Sequence, residues 1–507
     1  MSAAPGRSQA SSHRSPQGEG TPVNTVASND VVLRISDLGI TLLPTGRSLL
    51  QACSFEVRAG ERLTLIGESG AGKSLLAQAI MGTLPPVMLV QGEVTMAGRA
   101  TNGQRQLTQP LWGHQVVMLP QEPWTALNPI MRLRTQVAEA GHYAAGKRWQ
   151  AAHKHADQHL AALGLAHAGR QWLHQVSGGM AQRVGVACAS QGDARLLIAD
   201  EPTKGLDAGA CEQVALLLGA AQQQGQALLT ITHDLDLALR LGGRVAVMRH
   251  GQIVEQGDVQ TVLSTPQHPY TQALLAAQPR QWSMLVPATA GDAARTEPLI
   301  AAQDLSVSLG GRTVLKQASL RINPGDFRAV VGPSGCGKTT LGNALVGLLK
   351  PSSGRVDRRA NLAPWRFQKL YQDPVASFSM HQTIRQALAH LLRLHRLDPA
   401  PIAHWQQKLR LSDELLDRLP SELSGGELQR LAILRAMLLK PVFVFADEPT
   451  SRLDALTQRD TMEALCGAMA DTGCAMLLVS HDAHLAQRST HHQWHIGEGR
   501  LHADAIT

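Results

Sequence analysis

Apolar residues in this chain fall into short continuous runs, and the runs appear twice in the same order. Arg62–Ile66 and Phe327–Val331 feed glycine-rich loops, and LLIADEP at 196–202 and VFVFADEP at 442–449 end in paired acids. LLTITHD at 228–234 and LLVSHD at 477–482 end in His-Asp. Short apolar runs bounded by turn signals predict strands buried on both faces, as in the middle of a parallel sheet. Helices are predicted to start at Lys73 and Lys338. A helical pattern over about 132–165, rich in Ala, Gln and His, predicts a helical subdomain inserted into the first half. Residues 279–298 carry Pro, Ala and Gly without periodicity and read as a linker. Residues 1–29, rich in Ser, Ala, Pro and Gly, read as a disordered tail. The expected division is therefore a tail at 1–29, a first domain at 30–278, the linker at 279–298 and a second domain at 299–507.

The loops after the first strand of each half are GESGAGKS at 67–74 and GPSGCGKT at 332–339, both of the form G-x-x-x-x-G-K-[ST]. In such a loop successive backbone N–H groups turn inward around a β-phosphate. Gly67, Glu68, Ser69, Gly70, Ala71 and Gly72 supply them in the first half. Gly332, Pro333, Ser334, Gly335, Cys336 and Gly337 line the second loop. Lys73 and Lys338 reach the β- and γ-oxygens, and the Ser74 and Thr339 hydroxyls hold Mg²⁺. A second motif also repeats, VSGGMAQR at 176–183 and LSGGELQR at 423–430. From Ser177 to Asp200 and from Ser424 to Asp447 is 23 residues in each half. From Asp200 to His233 is 33, and from Asp447 to His481 is 34. Shared order and spacing mark a duplicated domain rather than shared composition.

At 507 residues and 44% hydrophobic, the chain can bury two ordinary cores. Its +7 charge is scattered and discriminates poorly among anionic partners. Six cysteines (Cys53, Cys188, Cys211, Cys336, Cys466, Cys474) form no C-x-x-C pair, and one lies inside a phosphate loop, which points to a reducing, cytoplasmic compartment. No apolar stretch is long enough for a bilayer-spanning helix. His153, His155 and His159, and His491, His492 and His495, read as solvated faces rather than metal sites.

The whole set, over nearly all of residues 30–505, resembles the ABC ATPase family. The resemblance implies an α/β fold: two tandem P-loop nucleotide-binding domains, each with a helical subdomain and a small β subdomain. It implies that two ATP molecules, each with Mg²⁺, lie between the cassettes. Lys73 would face Ser424, Gly425 and Gly426, and Lys338 would face Ser177, Gly178 and Gly179, so both sites could form within one chain. Asp200 and Asp447 would meet Mg²⁺ through its water shell, and Glu201 and Glu448 would polarise the attacking water. Gln121 and Gln372 match the loop glutamine that touches the metal, and His233 and His481 match the switch histidine at the γ-phosphate. Asp207 and Asp454 match the acid of the following loop. The aromatic residue on which many members stack adenine is replaced by Leu42 and Leu309. The loops TKGLDA and TSRLDA differ, which implies unequal rates at two competent sites.

The segment at 245–277, with V-M-x-x-G-x-I-V-E-x-G and H-P-Y-T-x-x-L, is similar to the ATPases of dipeptide, oligopeptide and nickel importers. LPQEPWTALNP at 119–129 and YQDPVASFS at 371–379 add to the likeness, although the second has Phe-Ser where Leu-Asn-Pro is common. After His481 only IGEGRL remains of the glycine turn, without an H-P-Y-T tail. The likeness implies a peripheral subunit on the cytoplasmic face of the inner membrane. Its partners would be two integral-membrane permeases and, through them, an extracytoplasmic solute-binding protein, with no nucleic acid. The other reading, a soluble twin-cassette factor on ribosomes or nucleic acid, wants a long, charged helical linker. A DNA-repair ATPase wants zinc-spaced cysteines or coiled-coil inserts.

Overall fold

In a computed structural model, residues 31–206, 208–223, 225–286 and 297–503 are described. The expected tail at 1–29, the middle of the expected linker and Asp207 lie outside the described residues. From Val31 onward the chain is one compact unit.

The strands of the first half are β1 (Val31–Leu42), β2 (Arg47–Arg58), β3 (Arg62–Ile66), β4 (Met88–Met96), β5 (Arg99–Ala100), β6 (Val116–Leu119), β7 (Leu196–Asp200), β8 (Ala227–Thr232), β9 (Arg244–Arg249) and β10 (Gln252–Asp258). The second half has β11 (Ile300–Leu309), β12 (Arg312–Ile322), β13 (Phe327–Val331), β14 (Ser353–Arg358), β15 (Phe367–Leu370), β16 (Phe443–Asp447), β17 (Ala475–Val479), β18 (His492–Gly497) and β19 (Arg500–Ala503). Each half has a small antiparallel sheet, in order β2-β1-β4-β5 and β12-β11-β14. Each also has a six-stranded sheet, β10-β9-β3-β8-β7-β6 and β15-β16-β17-β13-β18-β19. Read from opposite ends, the two large sheets have one order, so the duplication in sequence is a duplication in topology.

The strand feeding the phosphate loop lies between parallel neighbours, β3 between β8 and β9 and β13 between β17 and β18. That position explains the lack of hydrophobic alternation, since both faces are covered. β7, β8, β16 and β17 are buried at every residue. Phe443 and Phe445 are among the largest fully buried side chains, each contributing about 1.5–3 kcal/mol by removal from water.

The helical subdomain of the first half consists of helices Leu133–Ala145 and Trp149–Ala162, and that of the second of Ile384–His395 and Pro401–Lys408. Residues of the expected linker pack closely: Trp282 and Val286 are buried in the core of the second half, and the Leu285 N–H donates to Arg488 O. A further core joins the halves, with Ala455 beside Ile66, Leu235 and Tyr270.

Candidate nucleotide site

Backbone geometry builds the two phosphate loops. Gly67 and Gly332 have φ of 156° and 152°, and a Cβ there would meet the carbonyl oxygens of Met248 at 2.2 Å and Ile496 at 2.6 Å. Gly72 and Gly337, at φ 100° and 110°, are the left-handed N-caps of helices Lys73–Met81 and Lys338–Val346. Each helix therefore presents its unpaired N–H groups and positive dipole end to its own loop. Lys73 Nζ donates to Gly67 O at 2.7 Å and Glu68 O at 2.9 Å, and Lys338 Nζ to Gly332 O at 2.8 Å and Pro333 O at 3.0 Å. Burial holds the Lys73 ammonium pKa below the ordinary lysine value, against the attraction of Glu201, Asp200, Asp454 and Glu68. Both lysines are thus cations held in place at a cradle of backbone amides, which suits a polyphosphate chain.

The acids at the ends of β7 and β16 come to the same loops. Ser74 Oγ donates to Asp200 Oδ1 at 3.2 Å, and Thr339 Oγ1 to Asp447 Oδ1 at 2.9 Å. Burial pushes the Asp200 carboxyl up to about 6, outweighing the Ser74 hydrogen bond. Glu201 and Glu448 follow at φ 49° and 48°, a left-handed conformation that costs a side-chain-bearing residue about 1 kcal/mol or more and clusters at functional sites. In the first half His233 Nδ1 lies 2.9 Å from Glu201 Oε1. Burial opposes charge on both, yet their mutual contact holds Glu201 below the usual carboxylate range and raises His233. In the second half it is Nε2 of His481 that meets Glu448, at 2.5 Å, while Gln372 Nε2 donates to Glu448 Oε2 at 2.9 Å.

Ser177 and Ser424 are the N-caps of helices Gly178–Ala189 and Gly425–Leu438, accepting from Met180 N and Glu427 N. The following glycines expose further helix-end N–H groups. A Cβ on Gly426 would strike Thr457 Cγ2 at 2.2 Å. One cavity of about 660 Å³ brings both halves together: Ser177, Gly178 and Gly179 line it with Lys338, Thr339, Gln372, Glu448 and His481. Gln121, Leu309 and Ser334 also line it. At Lys73 the contact across the halves is different. The Ser69 N–H donates to Asp454 Oδ2 at 3.4 Å, and among the described residues no hydrogen bond or ion pair joins Lys73 to Ser424, Gly425 or Gly426.

Two residues that the sequence reading passed over touch this machinery. Tyr270, in the H-P-Y-T element, accepts from the Glu68 N–H at 2.8 Å, and Arg249 lies over its ring. Nothing local in the sequence signals that contact. Lys369, on β15, pairs with Asp447 at 3.0 Å; aligning the two repeats on Gln121 and Gln372 shows it standing where the first half has Met118. The histidines on helix Trp149–Ala162 are half-buried rather than solvated. No group of three or more His, Cys, Asp and Glu among the described residues could hold a metal ion, and no described helix is long and apolar enough to cross a membrane.

Comparison with known proteins gives two family matches. Residues 50–204 and 315–451 match the ABC transporter family, and residues 254–296 match the oligopeptide/dipeptide transporter C-terminal region. The uncharacterized ABC transporter ATP-binding protein YejF of Escherichia coli K12 is 34% identical over 88% of this chain and 90% of its own length. The glutathione import ATP-binding protein GsiA of the same strain is 31% identical over 91% of this chain and 84% of its own length. Among solved structures, an archaeal ribosome recycling factor crystallised with a ribosomal stalk protein superposes with a TM-score of 0.63. Its identity is 19%, covering 92% of this chain and 89% of that one. At that identity the likeness speaks for a tandem-cassette fold alone.

Proposed function

This chain belongs to the ABC transporter ATP-binding family and hydrolyses ATP, and we propose that it energises an importer of short peptides. Each ATP lies between the phosphate loop of one cassette and the signature serine and glycines of the other. The 660 Å³ cavity lined by Lys338 and Ser177 supports that pairing for the second site. Mg²⁺, when bound, would supply positive charge to offset that developing on the transferred phosphoryl group. Ser74, Gln121 and Asp200 would hold it at the first site, and Thr339, Gln372 and Asp447 at the second. The hydroxyl and carboxylate oxygens, 3.2 Å and 2.9 Å apart, set hard oxygen donors side by side, which suits Mg²⁺. Glu201 and Glu448 orient and deprotonate water, and His233 and His481 hold each glutamate while reaching the γ-phosphate.

Closure around ATP would be transmitted through surfaces near Gln121 and Gln372 to two permease subunits at the cytoplasmic face of the inner membrane, with a solute-binding protein outside. The observation that carries the importer reading is the match at 254–296, whose Tyr270 is bonded to the first phosphate loop. The glutathione importer among the relatives favours short peptides over the nickel and metal-chelate cargo that the sequence likeness leaves open.

The test is co-purification of tagged chain from detergent-solubilised membranes of the native host. Recovery of two integral-membrane subunits is expected, and their identity narrows the solute. Recovery with ribosomes and no membrane subunit overturns the transport reading.

A further inference from the structure

Lys369 lies outside the phosphate loop, the signature and the catalytic pair, yet its ammonium is buried beside the acid of the second site. Its Nζ is 3.0 Å from Asp447 Oδ2, with both side chains under one-tenth exposed, and it donates to Asn343 Oδ1 at 2.9 Å. The rings of Tyr371 and Phe445 lie 4.9 Å and 5.2 Å from it. Thr339 takes the other carboxylate oxygen, so both oxygens of Asp447 already have partners. The opposite charge of Asp447 and the hydrogen bond to Asn343 offset the hydration that Lys369 loses on burial.

The surroundings are built for it. Phe445 can lie beneath the ammonium because residue 342 is glycine; a Cβ there would fall 2.1 Å from the ring. In the first half the corresponding residues are Ala77 for Gly342, Gln78 for Asn343, Met118 for Lys369, Pro120 for Tyr371 and Ile198 for Phe445. The whole pocket differs, and among the described residues an ion pair to the acid proposed to face Mg²⁺ is formed in the second half, by Lys369.

We propose that Lys369 is a resident counter-cation for Asp447, making nucleotide binding at the second site far less dependent on Mg²⁺ than at the first. The inference rests on the reading that Asp447 faces Mg²⁺. A cation already paired with that carboxylate weakens its pull on a second, divalent one, and repels it across a few ångströms of poorly screened interior. Lys369 acts through Asp447 and so positions charge without touching substrate.

The test isolates the second site in the full chain carrying Lys73→Ala. It compares the affinity for mant-labelled AMP-PNP in excess EDTA and in excess Mg²⁺; the ratio is the coupling between metal and nucleotide. Replacing the lysine by the residue of the first half, Lys369→Met, should raise that ratio by at least about tenfold. Lys369→Gln, which keeps a hydrogen-bonding end, should do the same, and Lys369→Arg should stay near the parent. A ratio unchanged or lowered in both neutral variants overturns the inference. Asp447→Asn, made in the Lys369→Met chain where coupling is expected to be large, separates the underlying reading: loss of Mg²⁺ coupling supports it, and with coupling retained both the reading and the inference fail.

Discussion

The two cassettes keep the same loop, signature, acid and histidine, but differ in what surrounds the acid proposed to face Mg²⁺. Asp200 is buried with a serine hydroxyl on it, and burial lifts its carboxyl to about 6. Asp447 is buried with a threonine hydroxyl and a lysine ammonium on it. Asp200 feels Lys73 only at a distance, whereas Asp447 is in direct contact with an ammonium. Duplicated motifs thus carry the same parts into both sites, while the residues behind the acid differ, and through them the two copies are proposed to behave differently.

The largest effect comes from removing water activation. Glu201→Gln together with Glu448→Gln should cut phosphate release by at least about 100-fold while Mg·ATP still binds. The singles sharpen the comparison: Glu201→Gln and Glu448→Gln should lose unequal shares of turnover, because the surroundings of the two sites differ, and equal losses would mean that the two sites turn over alike.

Packing around the acids gives the next effect. Gly342→Ala drives a methyl into the Phe445 ring and should cost about 1–3 kcal/mol in chemical denaturation. Ala77→Gly in the first half should cost only about 1 kcal/mol, from helix propensity. A smaller penalty at 342 than at 77 would remove the crowded Phe445 from the description of the second site.

Tyr270→Phe deletes one hydrogen bond to the first phosphate loop, a change of about 1 kcal/mol. Nucleotide affinity should weaken several-fold at the first site and stay constant at the second. The smallest effect concerns Cys336, whose thiol burial holds above the ordinary cysteine value despite Lys338. Only its thiolate reacts, so alkylation should be slow at neutral pH and climb steadily as the pH is raised to 9. Bound ATP should suppress it at every pH, and labelling indifferent to ATP would place Cys336 away from the nucleotide.

Much of this was legible in the sequence because it is local chemistry. The phosphate-loop strands run Arg62–Ile66 and Phe327–Val331, and the helices start at Lys73 and Lys338, as the apolar runs and glycines require. Contacts between distant residues were not legible. The Tyr270–Glu68 bond spans 202 residues and the Ser69–Asp454 bond 385, and no local pattern encodes either. Trp282 and Val286 escaped because the apolar stretch 282–286 is too short to show a period, yet they anchor the start of the expected linker. Lys369 was visible only by setting one repeat against the other, where an ammonium replaces a thioether inside a strand.

The most direct measurement is mass and nucleotide content of the Glu201→Gln, Glu448→Gln chain in Mg·ATP, by light scattering on a sizing column with quantified bound nucleotide. Two nucleotides on a single chain of 54.3 kDa is the result expected from the proposed pairing of each phosphate loop with the signature of the other cassette. An ATP-dependent pair of chains, with the single chain binding none, would contradict it.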